Sequence, residues 1–258
     1  MGMDIYAGTL TRYYAHNWKT ATQQWAEANG FQFTRFDASG NNGQAEDELT
    51  PAEIQNIVTD WMGQLITVLS NSGCDTAQAW TENNAAPYYT DKPDWDAFGA
   101  LLLYTAAKIY GENVPETVTK SWDFGNHPLI NRLANDDTRK WSLFSDICYW
   151  LPMNDGFIFN YPLPSGVQTT IATTYCLKFE LEKINEVGWQ ADENTILSWT
   201  TTEGYPADYE MNNGQMTPVG NNVNSVYNTE SLAKFAYSIL YRALKHSEQE
   251  NVPILLDF

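Results

Sequence analysis

Apolar positions recur at helical spacing in several long stretches of this chain and cluster with β-formers in several short ones. That mixture predicts helices and strands in one fold. Met3 to Leu10 holds too few charges for an exposed segment and reads as a first strand. Asn17 opens a helix that runs to Asn29, with Gly30 just past its end. Phe31 and Phe33 alternate and predict a second strand over Phe31–Phe36, followed by a polar loop from Asp37 to Leu49. Thr50-Pro51-Ala52-Glu53 then combines a capping Thr, a Pro at the first helical position and a Glu that reaches back. The helix it opens sets Ile54, Ile57, Val58, Trp61, Leu65, Val68 and Leu69 on one face.

A further helix begins in the Asp91-Lys-Pro-Asp94 segment and runs to Gly111. It is apolar almost all round between Phe98 and Ala107, which makes it central. Trp141–Trp150 and Phe157–Tyr161, joined through an Asn-Asp-Gly turn, read as a hairpin. Ile171–Val187 is helical and ends at Gly188, Thr229–Glu248 is a long closing helix, and Val252–Phe258 is a last short strand or packed extension. The order β-α-β-α-α-β-β-α-α predicts an α+β fold: a mostly antiparallel sheet covered by several helices in one compact domain over 1–258. Residues 200–228 form a long irregular segment, rich in Tyr, Asn and Gly. Loops of such length are usually functional or mobile, and Tyr with Asn suits adaptable recognition.

Composition adds that the chain folds: 43% of its 258 residues are apolar and ten are Trp. Three widely spaced cysteines, Cys74, Cys148 and Cys176, make neither a CxxC site nor a disulfide framework. The first residues lack a basic, apolar leader, and no apolar run is long enough to span a bilayer. A cytoplasmic protein is the expectation.

Charge changes the picture most. Thirty-two acids against fourteen bases leave −18, which argues against nucleic acid and against anionic membranes as partners. The charge is also segregated. Phe36–Asp91 carries nine acids and no base, and the residues between Lys183 and Lys234 carry seven acids and no base. If the two windows meet, they form one face that steers a basic protein or peptide. The residues expected to bind there are Glu46, Asp47, Glu48 and Asp60 in the first window. In the second they are Asp192, Glu193, Glu203, Tyr205, Asp208, Tyr209 and Glu210.

Motifs for hydrolases, nucleotides and zinc are absent, and neither a cofactor nor a metal is called for. His127, with Asp123 nearby as its orienter, is the candidate catalytic histidine, set against a plain loop role. Asp91, Asp94 and Asp96 fit neither an EF-hand nor a two-metal site and read as the acidic start of a helix. The first functional expectation is therefore a non-enzymatic binding or inhibitor protein whose acidic face docks a basic partner, in the manner of immunity-type proteins. The alternative is an enzyme on a neutral or cationic small molecule, with glycosides leading, using paired carboxylates and an aromatic platform. A structural subunit of a homo-oligomer is a third option.

Overall fold

The computed structural model describes residues 2–31, 49–76, 79–138, 140–206, 209–212, 215–218 and 226–258, with 209–212 and 215–218 as backbone only. In chain order these form β1 (Asp4–Ala7), α1 (Leu10–Tyr14), α2 (Ala21–Ala28), α3 (Pro51–Asn71), β2 (Tyr89–Asp91), α4 (Asp94–Tyr110), β3 (Thr117–Thr119), α5 (Pro128–Ala134), β4 (Tyr149–Leu151) and β5 (Ile158–Pro162). There follow β6 (Gln168–Thr173), α6 (Thr174–Val187), α7 (Glu193–Thr202), β7 (Tyr209–Asn212), β8 (Gln215–Pro218), β9 (Val226–Asn228), α8 (Thr229–Glu250) and β10 (Ile254–Asp257). Short 3-10 turns occupy Phe124–Asn126 and Ser142–Phe144. The fold is α+β. The chain divides into two compact units, each built from three separate segments.

One unit comprises Asp4–Lys92, Ile147–Cys176 and Ala243–Phe258, and holds the main sheet. Its strand order is β2-β1-β10-β4-β6-β5, antiparallel except where β4 runs parallel to β6. Alternation along β4 sends Tyr149 and Leu151 to one face. There they join Tyr6, Ile171 and Leu255 in a core closed by Val58, Trp61, Leu65 and Leu69 of α3. Trp150, between them, is fully buried as well, so this strand is covered on both faces. The three cysteines are half-buried and none is in a disulfide.

The capping box of α3 forms as its sequence dictates. Glu53 N–H donates to Thr50 Oγ1 at 3.3 Å, and Thr50 N–H donates to Glu53 Oε2 at 2.8 Å. The Thr50 hydroxyl, which donates to Glu53 Oε2 at 2.7 Å, and then the Thr50 N–H hold the Glu53 carboxyl below its usual range. Thr50→Ala is expected to cost about 0.5–2 kcal/mol in urea unfolding. Only part of the anticipated apolar face is buried, because Ile57 and Val68 lie one step round the helix and remain 42% and 47% exposed.

The other unit comprises Met1–Met3, Pro93–Asp146 and Leu177–Arg242. Its centre is α4, buried without a break from Ala97 to Ala107, and Gly111 ends that helix in the left-handed region at φ 68°. Tyr237 donates to the Leu181 carbonyl at 2.9 Å and Ser238 to the Ile196 carbonyl at 2.6 Å, which tie α8 to α6 and α7. Gly188 follows α6 for reasons of space. A Cβ there would stand 2.9 Å from the Tyr104 hydroxyl and 2.7 Å from the Ile184 carbonyl oxygen.

Several expectations are corrected. The first strand stops at Ala7, and Leu10 begins a helix instead, because the Glu82 carboxylate accepts the Leu10 and Thr11 N–H groups at 3.2 and 2.7 Å. The next helix is capped by Thr20 rather than opened by Asn17. Apart from Phe31, the predicted strand and loop over 31–49 lie outside the described residues up to Leu49. β4 and β5 do not form a hairpin with each other, since β6 lies between them and pairs with both. Ile171 to Thr173 accordingly belong to β6, where β-branched residues fit the pleat. The segment over 200–228 contains the end of α7 and the strands β7, β8 and β9. Asn212 pairs with Gln215 there. Among the described residues, no helix is long and apolar enough to cross a membrane.

Candidate functional site

The unit built around α4 carries a cleft of about 520 Å³ at that helix's N-terminus. Helices begin with orphan N–H groups that a capping side chain normally satisfies. Here the cap position is Pro93, whose side chain has no acceptor to offer. Tyr205 supplies it from elsewhere in the chain: its hydroxyl accepts the Ala97 N–H at 3.0 Å and lies 3.4 Å from the Pro93 carbonyl, to which it donates. Burial is the main force raising the Tyr205 phenol above its ordinary range, and the nearby Asp94 and Asp96 add to it. Tyr205 is held in turn by Tyr227 and Phe235, with ring centroids 5.2 and 6.0 Å away.

Two cleft residues sit in the left-handed backbone region, Asp94 at φ 58° and Ser121 at φ 57°. Such conformations cost a non-glycine residue about 1–2 kcal/mol and persist only where the surroundings enforce them. One enforcing contact is visible, the Ser121 N–H donating to Asp96 Oδ2 at 3.0 Å. This bond joins the loop bearing Lys120, Ser121 and Trp122 to the start of α4.

The aromatic wall is built as a series. Trp95 stacks on Phe124 at 6.2 Å, Phe124 meets Trp122 at 5.9 Å, and Trp122 meets His127 edge-on at 6.1 Å. Gly99 makes room for it, since a Cβ there would lie 2.6 Å from the Phe124 ring. The Trp122 indole N–H is buried and lacks a hydrogen-bond partner among the described residues. The cleft therefore offers two carboxylates, an ammonium, a hydroxyl and two indole surfaces.

The sequence-predicted residues belong to several elements. Tyr205 is in the cleft. Glu203 is ion-paired with Lys234 at 3.6 Å, and Lys234 also meets Glu230 at 3.0 Å. Asp192 and Glu193 lie at the opposite end of α7 from Glu203. Asp192 caps that helix by accepting the Thr195 N–H at 2.9 Å, which holds its carboxyl low. Asp60 is exposed on α3, in the other unit. Glu46, Asp47, Glu48 and Asp208 lie outside the described residues, and Tyr209 and Glu210 are backbone positions of β7. The Asp123 carboxylate is taken up by the Asn126 side chain at 2.7 Å, while His127 Nδ1 accepts the Leu129 N–H at 3.3 Å and caps α5. His127 thus caps a helix and backs the aromatic wall.

Sequence reasoning reads Asp94 and Asp96 as the acidic start of a helix, and both do lie in the first turn of α4. It misses that Trp95 between them, and Lys120-Ser-Trp122 beyond, complete a cleft. The Asp-Trp-Asp triplet is the available signal. Among the described residues no group of three or more potential metal ligands occurs. No family model matches the chain, and neither a curated protein nor a solved structure does so.

Proposed function

We propose that the cleft at the start of α4 recognises a neutral polyhydroxylated ligand, with glycosides as the class. The observation that carries this reading is the mixed polarity of its lining. Asp94 and Asp96 accept from hydroxyl groups, Lys120 and Ser121 donate to them, and Trp95 and Trp122 offer faces on which the C–H side of a sugar ring stacks. A purely cationic ligand would meet the Lys120 charge; a sugar hydroxyl both gives and takes hydrogen bonds and suits every group present.

A second reading, docking of a basic protein or peptide, rests on the net charge of −18 and its two base-free windows. One window falls in each unit. Calorimetric titration with neutral disaccharides and, in parallel, with poly-L-lysine separates the two. The cleft reading expects saturable disaccharide binding that is nearly independent of salt. Heat from poly-L-lysine alone, vanishing as salt rises, favours the acidic face. Release of a chromophore from aryl glycosides in the same panel would assign hydrolysis as well as binding.

A further inference from the structure

The unit that contains α4 holds a second cavity, of about 500 Å³, between the C-terminal end of α4, the residues Thr138, Lys140 and Trp141, and α6. Its character is opposite to that of the chain. Acids outnumber bases 32 to 14, yet three of the nine lysines, Lys108, Lys140 and Lys183, gather around this one opening. Its walls are apolar, formed by Ile109, Phe179 and Val187, and Phe179 is 60% exposed.

Nearby acids do not cancel the three ammonium groups in a lasting way. Lys140 meets Asp137, and Lys183 meets Glu186, each at 2.8 Å, but these are solvent-facing pairs of neighbours along the chain. Exposed pairs of this kind contribute about 0–1 kcal/mol and yield to a better anion. Lys108 lies over the Tyr104 ring at 5.2 Å. Glu180 also lines the cavity, but its oxygens accept the Ser142 N–H, the Ser142 hydroxyl and the Leu143 N–H. Asp136 stands beside the opening as well, with its Oδ1 accepting the N–H and the hydroxyl of the lining residue Thr138 at 3.0 and 2.6 Å.

We propose that this cavity binds an amphipathic organic anion, a carboxylate on a hydrocarbon chain of medium length. The carboxylate lies among Lys108, Lys140 and Lys183, and the chain lies along Ile109, Phe179 and Val187. Calorimetry with decanoate in 0.15 M salt tests it, with decanol and inorganic phosphate as controls. Saturable binding of one decanoate per chain is expected, at least tenfold tighter than either control. Combined Lys108→Gln, Lys140→Gln and Lys183→Gln substitutions should weaken decanoate at least tenfold. Phe179→Ser, at an exposed site, should weaken it severalfold while leaving the fold intact. Absence of saturable decanoate binding to the natural chain overturns the proposal, as does unchanged affinity in both variants. Equal binding of phosphate would reduce the site to a charge patch, and equal binding of decanol to an apolar hollow; either result overturns it too.

Discussion

Glu180→Gln is expected to lower the unfolding free energy by about 1–3 kcal/mol at pH 8, and by roughly 2–3 kcal/mol more at pH 5. The first part follows from geometry. Glu180 is 3% exposed and receives three donors from the 3-10 turn that starts at Ser142, two of them at 2.9 and 3.0 Å. A glutamine presents one acceptor and one donor to the same site, so at least one buried N–H or O–H loses its partner. The second part follows from burial, which raises the Glu180 carboxyl to about 7 from an ordinary 4.5, although the three donors oppose the shift. The folded protein therefore holds this proton more tightly than the unfolded chain does. The resulting stabilisation is complete below pH 4.5 and is lost as the pH rises to 7. The variant lacks that contribution. Urea unfolding of both proteins at pH 5 and pH 8 measures the difference, and a gap no larger at pH 5 than at pH 8 would contradict the argument.

The second large effect is expected in the cleft. Combined Asp94→Asn and Asp96→Asn should weaken binding of a neutral disaccharide at least tenfold, about 1.4 kcal/mol or more. Charge-assisted bonds from sugar hydroxyls to carboxylates are roughly twice as strong as neutral ones. Stability should change little, because an asparagine in place of Asp96 can still accept the Ser121 N–H with its amide oxygen. Asparagine also tolerates the left-handed conformation at position 94. Calorimetry for affinity and urea unfolding for stability read the two effects separately. Undiminished affinity in the double variant would remove the carboxylates from ligand recognition.

Local rules are legible in this sequence where one segment decides its own structure. Thr50 to Glu53 specify their capping box alone, and the run from Phe98 to Ala107 is buried whatever surrounds it. What escapes is decided by residues far away in the chain. Leu10 becomes helical because Glu82 supplies the acceptor for that helix's first N–H groups. The apparent hairpin of β4 and β5 is parted by β6, which no turn signal between the first two reveals. Acids that composition shows only as charge take separate roles in the fold: Glu82 and Glu180 are buried caps, and Asp192 caps α7 at the surface. The cleft is half visible, as Asp94-Trp-Asp96. Its other wall comes from Lys120-Ser-Trp122 and its floor from Tyr205, brought together only by the fold.

The central claim is that a sugar lies against Trp95 and Trp122, and the indole N–H resonances of the ten tryptophans test it most directly. With Trp95→Phe and Trp122→Phe used to assign their two signals, a neutral disaccharide is titrated into the ¹⁵N-labelled natural chain. The account predicts saturable shifts of the Trp95 and Trp122 signals, with the remaining indoles still. Movement confined to other tryptophans, or no saturable shift across a panel of neutral sugars, would contradict it.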